Sequence, residues 1–205
     1  MTTQHGGAHL SDRFHFSPRA ARTSVAAEDA TSAVDAREVS IAALRIGTGF
    51  VFLWAFLDKT FGLHYSTASK SAWIHGGSPT KGFLGHVAVG PFQSAFHSMA
   101  GNGFVDWAFM LALLGIGSAL IAGVGLRIAA VCGVVLVAMM WLAVYPPAQH
   151  TATGAATSSA NPLVDDHVLE ALALAAVAVF GTGSRLGLGA AWAKLPIVRN
   201  HRSLV

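Results

Sequence analysis

The stretch VSIAALRIGTGFVFLWAFLDKTF at 39–61 decides the fold class. At 1.5 Å of rise per residue, a helix of this length crosses a hydrocarbon core about 30 Å thick. Its ionisable groups sit near its two ends, Arg45 near the first and Asp58 and Lys59 near the second. Working outward, two further apolar blocks at 104–124 and 126–145 have the same character. Only the turn around Gly125 and Arg127 separates them, so they predict an antiparallel hairpin. A fourth helix is predicted to start at Asn161-Pro162, with Asn as N-cap and Pro at the first helical position, and to run to about 183. Asp165 and Asp166 in its first turns suit the positive end of the helix dipole. The expected fold is an all-α membrane protein, a four-helix transmembrane bundle with a long extracytoplasmic loop at 62–103 between helices 1 and 2.

Composition agrees with that reading. The chain is 53% hydrophobic and 11% charged, against roughly 25% charged in soluble domains. Its +3 formal charge comes mostly from arginines near the termini, without a basic helix or a basic–aromatic alternation, so nucleic acid is not an expected partner. Three regions are expected: a disordered cytoplasmic N-terminal tail at 1–37, too polar to offset its chain entropy, the helical domain at 38–184, and a cytoplasmic C-terminal tail at 185–205. The basic residues Arg13, Arg19, Arg22, Arg37, Arg127, Arg185, Lys194, Arg199 and Arg202 fall on one side of the bundle, opposite Lys59, Lys70 and Lys81. The positive-inside rule then places the protein in the cell membrane, multi-pass, with both termini cytoplasmic. Trp107, Trp141 and Tyr145 fall at the outer interface, where amphipathic rings are favoured. The polar start of the chain is not that of a secretory signal.

Small residues four apart, among them Gly115 and Ala119, and Ala129 and Gly133, predict close helix packing. Cys132, the one cysteine, lies in an apolar block and is expected to be a buried small hydrophobe. Histidines at 64, 75, 86 and 97 recur every eleven residues, but Gly76-Gly77, Pro79, Gly90 and Pro91 break the run, so no single helix aligns them. Neither metal nor haem is expected, because no ligand set has the usual spacing and the first three spans carry no histidine.

Ionisable groups inside spans are costly and usually face a bundle interior or a cavity. Asp58, Lys59, Asp106, Asp165, Asp166, His167 and Glu170 all fall toward the outer side and are expected to form one polar cluster there. His167 and Glu170 are three apart and Asp166 and Glu170 four apart, so they share a helix face. The functional reading gives Lys59 the neutralisation of an anion, and His167 or Glu170 the movement of protons. The bland reading gives these charges only capping and snorkelling roles, and it fits Asp165 best. Arg45, alone toward the cytoplasmic side, could equally snorkel to headgroups. The loop at 62–103 carries Trp73, Phe83, Phe92 and Phe96 and is expected to hold short helices near 67–75 and 92–99, packed as a lid.

Three stretches carry a resemblance: LRIGTGFVFLWAFLDKTFG at 44–62, SAWIHGGSPTKGFLG at 71–85 and NPLVDDHVLEALALA at 161–175. Together they resemble the DoxX/DoxD membrane proteins over about 39–184, and most closely the DoxD branch, the membrane subunit of thiosulfate:quinone oxidoreductase. The matching residues are Arg45, Asp58 and Lys59 in the first stretch, Trp73, Gly76, Gly77, Ser78, Pro79 and Thr80 in the second, and Asp165, Asp166 and His167 in the third. The resemblance implies a four-helix bundle, thiosulfate as electron donor, membrane quinone as co-substrate and tetrathionate as product. The DoxX branch implies instead a subunit of a membrane redox-defence assembly. A second, DoxA-like segment is not seen within this sequence.

The leading expectation is therefore a quinone-linked oxidoreductase, or its membrane subunit, acting on a small sulfur anion at the outer face. His167, Glu170 and Asp166 would be its catalytic residues, and Lys59, Asp58, Trp73, Arg45 and Ser78 would bind substrate. The alternative is a non-catalytic anchor or scaffold of a redox or respiratory complex, docked to another subunit or to a second copy of itself. A small transporter is weaker, since neither an inverted repeat nor a pair of broken helices is visible.

Overall fold

The computed structural model describes residues 35–181 and 186–201, and all of these except Asp35 belong to the compact unit Ala36–Val205. Most of the tail expected at 1–37 lies outside the described residues, as does residue 183, the predicted end of the fourth helix. The described chain is helical and contains no strand. Three helices are long and apolar enough to cross a membrane: α1 (Ala36–Phe61), α4 (Gly103–Ala122) and α5 (Leu126–Val144). The short α2 (Lys81–Leu84) and α3 (Gln93–Met99) lie between α1 and α4. Then come α6 (Asp166–Phe180), α7 (Gly189–Trp192) and α8 (Pro196–Arg199).

The start of the fourth helix differs from expectation. Asn161 caps a turn instead, accepting from the N–H of Leu163 at 2.9 Å and of Val164 at 2.6 Å. The N-cap is Asp165, extended in backbone, whose carboxylate accepts from the Val168 N–H at 3.2 Å. Both residue types are good caps, so sequence offers two starts. Tertiary packing selects the later one. The resulting α6 has 15 residues and is about 22 Å long.

The long helices pack along one another, α1 on α4 and α6, and α5 on α4 and α6. In α1 the buried positions Ala42, Arg45, Thr48, Gly49 and Phe52 recur at helical spacing, which makes one inward stripe. They meet Leu113, Ile116, Gly117 and Leu120 of α4. A side chain on Gly49 would lie 2.8 Å from Leu120 Cβ, and one on Gly117 would lie 2.6 Å from the Leu53 nitrogen. This crossing demands two glycines face to face. Gly115, expected at a packing position, has nothing near it, whereas Gly133 abuts Leu174 as its spacing suggests. Gly123, at φ 75°, ends α4 and opens the tight turn into α5.

Antiparallel contacts place the α1 C-terminus, α4 N-terminus, α5 C-terminus and α6 N-terminus at one end, and the loop 62–102 caps that end. A small core of Leu84, Val87 and Phe96 seats the cap on Ala143 and Leu142 of α5 and Val105 of α4. Trp73 meets Trp107 edge-on at 4.6 Å. At the opposite end Arg37 lies over the Phe180 ring.

The outer faces of these helices are apolar. Leu111, Val131, Val135, Leu172 and Val179 are exposed, while Arg45, Asp58 and Asp106 are buried. That inversion of the usual soluble pattern suits a lipid surround. Cys132, expected to be buried, is exposed on this same apolar surface.

Candidate functional site

Two carboxylates at the capped end, Asp58 and Asp106, turn inward and hold the loop. Asp58 accepts from the N–H of Tyr65 at 3.2 Å, and from the N–H and hydroxyl of Ser66 at 3.0 and 2.6 Å. Asp106 accepts from Ser78 Oγ at 2.9 Å, from the Thr80 N–H at 3.0 Å and from Thr80 Oγ1 at 2.6 Å. Charge-assisted bonds of this kind are among the stronger ones in proteins. The Gly76-Gly77-Ser78-Pro79 motif follows from the same need. Gly76 takes φ 81°, and a Cβ on Gly77 would lie 2.0 Å from the Ser71 carbonyl oxygen. Only glycine lets the chain turn this tightly and deliver Ser78 and Thr80 to Asp106.

The pinned loop forms one wall of a half-open cleft of about 1370 Å³. Lys59, Lys70 and Lys81 stand on its rim with Ser66, Ser78, Thr80 and His86. None of the three lysines forms an ion pair among the described residues, and no carboxylate is part of the lining. Lys59 Nζ reaches the Ser66 hydroxyl at 3.5 Å. Along the two helices the lining is apolar, with Phe104, Val105, Ala108, Phe109 and Ala112 from α4 and Leu136, Met139 and Met140 from α5. The arrangement offers positive charge and hydroxyl donors at one end and a hydrocarbon slot at the other.

The single polar cluster expected from sequence is therefore divided. Lys59 and Ser78 line the cleft, while Asp58 lies behind its wall and Trp73 packs into the helical core. His167, Asp166 and Glu170, the expected catalytic set, are outside the lining. His167 Nδ1 lies 2.8 Å from Asp165 and 3.3 Å from Asp166. Ligand atoms of Asp165, Asp166 and His167 all lie within 4.8 Å of one another, close enough for a cation. Yet Asp165 already caps α6 and binds the imidazole, so these groups satisfy one another.

Arg45 does not join the capped end. Fully buried, it donates to the carbonyls of Leu120, Ile121 and Leu186, with its Nε unpartnered. It thus ties α1 to the last turn of α4 and to the segment after α6, where the Leu188 N–H also bonds the Ala122 carbonyl at 2.8 Å. Of the histidines at 64, 75, 86 and 97, the first two both bond Ser69, while His86 bonds the Gly82 carbonyl and His97 the Val87 carbonyl.

Sequence reading gave Lys70 and Lys81 only a topological role. A signal existed, because lysines 59, 70 and 81 recur every eleven residues, each five before a histidine. What brings them to one rim is the folding of the loop by Asp58 and Asp106, which no spacing encodes.

The fold and cleft define a helical protein with apolar helices suited to a lipid bilayer. Against protein-family models, curated proteins and solved structures, the chain has no match.

Proposed function

We propose that the chain is a four-span bundle in the cell membrane, with both ends cytoplasmic and the cap outside. We infer that it acts as a quinone-linked oxidoreductase of the DoxD type, or as the membrane subunit of one, with a small sulfur anion such as thiosulfate as donor. The observation carrying this reading is the lysine rim of a cleft that continues into an apolar slot. A dianion gains from three unpaired ammonium groups held in a site partly shielded from water. A quinone dissolved in the membrane reaches the same cleft from its lipid side. In this reading Lys59, Lys70 and Lys81 hold the donor, Ser78 and Thr80 orient it, and Asp58 and Asp106 are positioning residues. Two thiosulfates join through a new sulfur–sulfur bond, giving tetrathionate and two electrons, and quinone takes those electrons with two protons to become quinol. His86 is the imidazole on the cleft. His167 and Glu170, lying off it, have no proton step in this scheme.

The test is thiosulfate-dependent quinone reduction by detergent-purified protein, together with lipid extraction for bound quinone. Lys59→Ala and Lys81→Ala are each expected to raise KM for thiosulfate at least tenfold, while His167→Ala leaves turnover within about twofold. Full activity in both lysine variants would remove the site. A stable partner subunit without quinone or turnover would favour the anchoring role instead.

A further inference from the structure

We propose that the cleft binds a phosphate-headed membrane lipid, with its head under the three lysines and one acyl chain between α4 and α5. The inference rests on the cleft used above, but not on its electron transfer.

A small inorganic anion would satisfy only the rim. The remainder of the cavity runs from Phe104 down to Ala112, about 12 Å along α4, and its lining there offers no polar side chain. Alanines at 108 and 112 leave room opposite Leu136 and Met140, as a chain of methylenes would need. The slot also faces the side from which lipid would enter: Phe104 is 82% exposed and Met139 41% exposed, and both are lining residues. At the rim, Lys59, Lys70 and Lys81 supply point charges suited to a phosphate. The Ser78 hydroxyl and the backbone of the Gly-Gly turn stand beside them. One molecule that is anionic at one end and aliphatic at the other complements both halves. The lipid would occupy the rim that the sulfur anion needs, so anionic lipid would act as a competitor of substrate.

The full chain, purified in an uncharged maltoside detergent, is titrated with phosphatidic acid or phosphatidylcholine, and bound lipid is read by native mass spectrometry. Phosphatidic acid is expected to bind at least tenfold better. The combined Lys59→Ala/Lys70→Ala/Lys81→Ala variant should reduce that preference below twofold. Ala112→Phe, which fills the slot and leaves the lysines intact, should lose phosphatidic acid, and its unchanged helical content and melting temperature would show that it folds. Ala108→Leu gives a second, milder plug if Ala112→Phe does not fold. Equal binding of both lipids overturns the proposal, as does retention of phosphatidic acid by a folded plugged variant. Binding of inorganic phosphate as tight as that of phosphatidic acid would also overturn it, since the slot would then add nothing to a free-anion site. Absence of thiosulfate turnover alongside selective lipid binding would sink only the redox reading.

Discussion

Asp106, expected in a polar cluster opening outward, shows how the fold can turn a charge near a helix end inward. The structure makes it the buried anchor for Ser78 and Thr80. Removing it would leave a buried N–H and two hydroxyls without their acceptor, at about 3 kcal/mol. Asp106→Ala is therefore expected to lower the melting temperature in detergent and to weaken anion binding together. Ser78→Ala, which deletes one donor and leaves the acceptor satisfied by Thr80, should cost about 1 kcal/mol. If Asp106→Ala melted like wild type, the pinned-loop account would fail. Arg45 differs from Asp106. Its burial among carbonyls explains how a span tolerates a guanidinium, because the oxygens it meets stand in the last turn of α4 and in the non-helical segment before α7. Sequence places Arg45 in a span, but only the fold supplies Leu120, Ile121 and Leu186 as its acceptors.

At the scale of elements, the three long apolar helices were legible because an uninterrupted apolar block of sufficient length has few other stable forms. The boundary of α6 was not, since Asn161-Pro162 and Asp165 both carry N-terminal signals within one short segment. Local chemistry cannot rank them, and burial of Leu174 and Val177 against α5 sets the register. The assignment makes a checkable claim: Asp165→Ala should cost about 1 kcal/mol as the loss of a true N-cap. Asn161→Ala should cost about half that, measured by thermal unfolding of the two variants in one detergent. A reversed order would return the helix start to Asn161. Helix crossings were half legible. Small-residue spacing pointed to Gly133 correctly and to Gly115 incorrectly, because α4 carries Gly115 and Gly117 on different faces. Gly117→Ala should destabilise by about 1–3 kcal/mol through overpacking on Leu53. Gly115→Ala, with open space before it, should be neutral or mildly stabilising. Comparable losses from both would refute the crossing.

For the whole molecule, the apolar outer surface suits a lipid surround, and Arg45, Asp58 and Asp106, turned inward onto protein partners, keep charge off that surface. Orientation is a separate matter, carried by the arginine distribution. In a Cys132→Ser background, Ser98→Cys on the cap is expected to react with an impermeant maleimide in intact cells. Ala191→Cys on α7 should react only after permeabilisation. Labelling in the opposite order would invert the topology and place the lysine cleft inside the cell.

Sequence by itself determined that apolar helices dominate this chain and that its sparse charges gather at helix ends, because block length and charge placement are one-dimensional properties. Tertiary structure alone decided which of those charges face a cavity. Lys59, Lys70 and Lys81 share a rim because Asp58 and Asp106 fold the intervening loop back on the bundle. His167 and Glu170 stay outside it because α6 packs on α1 and α5, away from the cleft between α4 and α5. A side chain's direction depends on the neighbours that bury its helix, and those neighbours are far away in sequence.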